Sequence, residues 1–116
     1  MALYVQMTLI YHITTVQEVE RAARVGKYLP VNFEADGFIH CAYSNQIRSV
    51  AEAKFRGKAD LALLEIDSSR LDCSVVEGDA TFPHIHGPLP MEAVTAVRYI
   101  SIPESGSFEL PCNVDV

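Results

Sequence analysis

Leu61–Ile66, LALLEI, restricts the fold more than any other stretch. It is apolar on nearly both faces and carries a single charge, Glu65. A strand with two apolar faces belongs at the centre of a sheet. After it, Asp67 and Ser68 open a helical turn that ends near Leu71.

The other elements follow from periodicity and punctuation. Residues 3–13 read as a first strand, with a break near Gln6–Met7. Thr14 or Thr15 then caps a helix, because Glu18 stands three residues after Thr15 as in a capping box. Val16, Val19 and Ala23 form its apolar stripe, and Gly26 is placed to stop it after Val25. Lys27–Asp36 reads as a loop or irregular extended segment, since Pro30 blocks helix there. Gly37 opens a second strand with Phe38, His40 and Ala42 on one face and Ile39, Cys41 and Tyr43 on the other. Ser44 is expected to cap a helix over Asn45–Arg56, with Ile47, Ala51 and Phe55 at helical spacing and Val50 beside them. Ser74–Glu77 is a further strand, Gly78–Asp79 a turn, and Val94–Ile102 a last strand. Pro90 begins one helical turn, PMEA.

Between those last strands lies FPHIHGPLP, Phe82–Pro90, with two histidines, a glycine and three prolines. His84 and His86 are two apart, so on an extended backbone both rings leave the same face. The prolines remove backbone donors, so the strand is expected to be short and to lie at an edge or sheet end. His12 and His40 sit in two more short apolar runs, IYHIT and FIHCA. All four histidines thus fall in strand context, a pattern that asks for one common site.

Strands and two main helices without regular βαβ alternation indicate an α+β fold. At 116 residues the chain is expected to be one compact domain over residues 1–102, with 103–116 as a tail. No apolar run approaches the ~20 residues a bilayer span needs, so no membrane partner is expected. The three cysteines share no close spacing, which suggests free thiols and a cytoplasmic setting. The net charge of −6 is uneven: residues 1–60 carry seven Lys/Arg against six Asp/Glu, and the remainder two against nine. An acidic total disfavours general nucleic-acid binding.

Two chemistries fit the histidines. In the first, His84 and His86 with His40 or His12 ligate a metal and leave an open position, as in a metal-dependent hydrolase. In the second, which is preferred, no metal is present. His12, His40 and His84 then line one cleft, where neutral imidazoles donate, accept or move protons on a small-molecule or nucleotide ligand. Glu77 and Glu65 are the carboxylates nearest in sequence, and Arg48, Lys54, Arg56 and Lys58 are cations suited to a phosphate.

IYHIT, DGFIHCA followed by a helix, LLEID, and above all FPHIHGPLP with MEAV after it resemble the bacterial proteins classed as domain of unknown function 952. The resemblance runs from about Ile10 to Ile100. It implies an ADP-ribosyltransferase-like fold with a split, mostly antiparallel sheet, distantly similar to RNA 2′-phosphotransferases. Tyr11-His12-Ile13-Thr14 looks like that superfamily's Tyr-His-Gly-Thr/Ser strand, with Ile13 where the glycine stands. Carried over, His12 would hold a ribose hydroxyl of NAD or ADP-ribose, with Thr14 beside it and His86 among the binding residues. Arg48 or Arg56 would steady a phosphate, and His40, His84 and Glu77 would act on the acceptor. A nucleotide-binding module without turnover is the alternative within the same cleft.

Overall fold

The structure, a computed structural model, describes residues 8–78 and 81–105. Its spine is three antiparallel strands in the order β1 (Leu9–Thr15), β4 (Leu61–Asp67) and β8 (Val94–Ile100). β4 is central, as its two apolar faces require, and only Glu65 along it escapes full burial. Its alternating side chains feed two cores. Ala62, Leu64 and Ile66 pack with Val19 and Ala22 of α1 (Val16–Val25). Leu61 and Leu63 pack with Ile47 and Ala51 of α3 (Ile47–Lys54). One helix therefore covers each face of the sheet, because a period of two sends neighbours to opposite sides.

Two smaller antiparallel sheets complete the fold. β2 (Lys27–Tyr28) pairs with β7 (Leu89–Pro90). β3 (Ile39–His40) pairs with β6 (Pro83–Ile85), which pairs on its other side with β5 (Val75–Glu77). A single bridge, Tyr11 to Ala42, joins β1 to this third sheet. The α+β class and the split antiparallel arrangement match the sequence expectation.

Several local expectations hold. The Thr15 hydroxyl accepts from the Glu18 N–H at 3.2 Å, and Gly26 ends α1 in the left-handed region at φ 94°. Others need correction. The buried residues of α1 are Val19 and Ala22, while Ala23 is exposed. Pro30 does not keep its whole segment irregular: a four-residue helix, α2 (Phe33–Asp36), forms once the chain is past it. Ser44 does not cap α3; it lies in a 3-10 turn, Ser44–Gln46, where the Gln46 side chain accepts from the Tyr43 N–H.

The clearest correction concerns β6, which is short but central in its sheet rather than at an edge. Pro83 stands at its first position and lacks only a donor. Its carbonyl still accepts from the Cys41 N–H at 3.0 Å, so the proline costs the sheet nothing on that side. Residues 3–7 of the first expected strand, Asp79 of the expected turn and most of the expected tail lie outside the described residues. Among the described residues no helix is long and apolar enough to cross a membrane.

Candidate functional site

A cleft of about 810 Å³ opens along β1 at the edge that β4 does not use. Consecutive residues Tyr11–Thr15 form one wall, with α2, β3, β6 and α3 around it. His12, His40 and His84 all line it, from three separate strands. Their convergence follows from pairing: His40 stands opposite His84 in the β3–β6 register, and the Tyr11–Ala42 bridge brings β3 against β1.

His12 is held at both ring nitrogens. Nδ1 lies 2.6 Å from the His40 carbonyl oxygen and Nε2 lies 2.8 Å from the Tyr28 hydroxyl. The carbonyl can only accept, so Nδ1 carries the proton and Nε2 offers its lone pair to the Tyr28 hydroxyl. That commits the Tyr28 proton. The Thr14 and Tyr28 hydroxyls lie 3.0 Å apart, close enough for Thr14 to donate in turn. The chain of bonds thus runs Thr14 to Tyr28 to His12 to the His40 backbone. Burial favours this neutral form of His12, lowering its pKa from 6.5 to about 4 against the opposing bond to the His40 carbonyl. Burial also pushes the Tyr28 phenol up to about 12, so it remains a donor.

The second group is Asn32, Asp36 and His40. The Asn32 amide donates to the Asp36 carboxylate at 2.7 Å, and His40 Nε2 lies 3.1 Å from the same oxygen. Gly37, left-handed at φ 81°, ends α2 and turns the chain so that His40 returns over Asp36. The third group is aromatic. Phe38 stacks face to face on His84 with centroids 3.9 Å apart, and stands 4.6 Å from the His40 ring and 5.5 Å from the His86 ring. Close packing continues behind His84, where Gly78 leaves no room for a side chain.

The remaining sequence candidates fall elsewhere. His86 is exposed and does not line the cleft. His84 and His86 do leave one face, but Phe38 stands among them and His40. Among the described residues no three His, Cys, Asp or Glu side chains converge as a metal would need. Glu77 sits on β5 outside the cleft and accepts from the Tyr43 hydroxyl at 2.7 Å. That bond is the main reason the Tyr43 phenol is pushed up. Arg48 is exposed on α3 away from the lining, and Arg56 donates to the carbonyls of Glu104 and Ser105. The cation that does line the cleft is Lys54. Cys41 also lines it, but burial pushes its thiol far up, which removes it as a nucleophile. Glu65 belongs to the main sheet, where it accepts from Tyr11 and Thr95 and pairs with Arg98.

Sequence reasoning missed Tyr28, Asp36 and Phe38. Asp36 carried a signal, since it precedes His40 by four residues across a glycine. Tyr28 carried none, because its partner His12 lies sixteen positions away.

An antiparallel α+β domain with three histidines around one cleft is the class that this geometry defines. The chain belongs to the family of proteins of unknown function DUF952, whose profile matches residues 13–97. It is similar to protein CC0527 from Caulobacter crescentus. The crystal structure of that protein is 31% identical, with a TM-score of 0.72 over 82% of this chain and 88% of that one. The solution structure is 33% identical, with a TM-score of 0.69 over 86% of this chain and 90% of that one. No curated protein matches the chain.

Proposed function

We propose that this protein binds NAD or a related ADP-ribosyl or phosphorylated nucleotide in the histidine-lined cleft, and transfers the ADP-ribosyl group. The observation that carries the reading is the meeting of His12, His40 and His84 in one cleft of about 810 Å³, a volume within the usual range for small-molecule and cofactor sites. The likeness of Tyr11–Thr14 to the ribose-binding strand of ADP-ribosyltransferases supports the choice of nucleotide. Within this reading His12 has a positioning role. Both its nitrogens are engaged, so it fixes Tyr28 and the His40 backbone rather than reaching a ribose itself. Lys54 takes over the phosphate role expected of Arg48 or Arg56. The free thiols of Cys41 and Cys73 suit a reducing, cytoplasmic setting.

Thermal unfolding with and without NAD tests the reading. Ligand at ~100 times its dissociation constant adds about 2.7 kcal/mol, or roughly 10 °C in a domain of this size. Lys54→Ala, at the exposed end of α3, should reduce that rise while leaving the ligand-free transition in place. No rise with NAD or ADP-ribose would overturn the nucleotide assignment.

A second reading, binding without turnover, is favoured by the position of Glu77 outside the cleft. Saturable binding with no nicotinamide released over hours would select it.

A further inference from the structure

Four imidazoles are described, and they differ in what their nitrogens can still do. Both nitrogens of His12 are committed, and its half-buried ring is held neutral. His86 lies outside the cleft. His84 is clamped between the Phe38 ring and the bare backbone of Gly78. His40 is placed differently. Its Nε2 is tied to Asp36 at 3.1 Å, its ring is set edge-on against Phe38 and His84, and Nδ1 has no protein partner among the described residues. Its side chain is 48% exposed, so it is open to the cleft and to solvent. Asp36 is itself held by the Asn32 amide.

From this arrangement we propose that His40 is the proton-accepting group of the cleft and that Asp36, held by Asn32, is its positioning residue. With Asp36 accepting from Nε2–H, the lone pair resides on Nδ1. A hydroxyl-bearing ligand, or a water attacking one, then gives its proton to Nδ1. The imidazolium formed keeps its Nε2–H bond to the carboxylate, now charge-assisted, and later releases the proton to solvent or to a leaving group. The pair takes the place in the chemistry that Glu77 does not reach. This inference rests on the reading that the cleft holds a ligand, but its test does not require one.

Diethyl pyrocarbonate reports imidazole reactivity directly. Nδ1 attacks one carbonyl, the anhydride C–O bond breaks and ethyl carbonate anion leaves; the Nε2 proton passes through Asp36 and solvent to that anion, which decomposes to carbon dioxide and ethanol. Peptide mass mapping follows each histidine separately in the whole chain. His40 is expected to react about tenfold faster than His86, the scale of one charge-assisted hydrogen bond, with His12 the slowest. Asp36→Asn should bring His40 to the rate of His86, and Asp36→Glu should restore part of the difference. If His40 reacts no faster than His86 in the unaltered protein, or if Asp36→Asn leaves its rate unchanged, the proposal is overturned. The comparison within the unaltered protein holds even where a variant folds poorly. A parallel reaction with millimolar NAD separates the two readings: fast His40 without protection would uphold the His40–Asp36 pair and count against the nucleotide.

Discussion

The β1–β4–β8 sheet and the β3–β6–β5 sheet have three strands each, yet they are built by different means. Strands in the first are seven residues long; β1 pairs with β4 along its whole length, and β4 pairs with β8 from Leu61 to Ile66 with one bulge at Thr95. Its central strand is buried on both faces under two helices. Strands in the second are two or three residues long. One contains a proline, and β5 is exposed throughout. Three of the four histidines lie in or beside this second sheet. The first sheet is stabilised by area removed from water. The second adds only Ile39, Pro83 and Ile85 to the buried interior and is otherwise held by ring stacking, backbone approach and polar bonds to the first. The histidines gather where the scaffold is least self-sufficient, because polar side chains keep an exposure there that a core strand denies them.

The difference is open to perturbation. Leu64 is fully buried in the middle of β4, and Leu64→Ala is expected to cost about 4 kcal/mol, read as a lower urea midpoint. A loss under about 1 kcal/mol would mean that the long sheet does not dominate stability.

His12 links the two sheets, and its effect depends on pH. Above pH 6.5 it is neutral in both the folded and unfolded states. Below that the unfolded chain takes a proton that the folded state refuses until about pH 4. Stability should therefore fall as pH drops from 6.5 to about 4, by at most about 3 kcal/mol from this group, and the loss should level off below. Urea titrations across that range check it. His12→Gln should flatten this part of the profile, and an unchanged slope would assign it to carboxylates instead.

Gly78→Ala addresses the second sheet alone. The added Cβ would stand 2.2 Å from Cε1 of His84, so the ring must leave its place on Phe38. The expected cost is about 1–2 kcal/mol, with loss of the ring-current shift on the His84 proton resonances. An unmoved resonance would show that the stack is not fixed by the backbone behind it.

The legible part of the molecule was the part with local redundancy. Two apolar faces placed β4, helical spacing placed Ile47 and Ala51, and Thr15 and Gly26 bounded α1. Each rests on several residues that agree within one turn or one strand. That three histidines meet was also legible, from their shared strand context. Their contacts were not. Phe38 stands against the rings of His40, His84 and His86, and Arg56 turned to the carbonyls of Glu104 and Ser105, contacts that no local pattern announces.

The sequence by itself determined the secondary structure of the long elements, the α+β class and the family, because apolar periodicity and capping act over a few residues. Only the tertiary structure decided that β6 is central, that Tyr28 closes on His12, and that Asp36 rather than Glu77 lines the cleft. Two- and three-residue strands carry too few side chains to specify a partner. Their pairing is set by how the two cores close around β4, and that is a property of the whole chain.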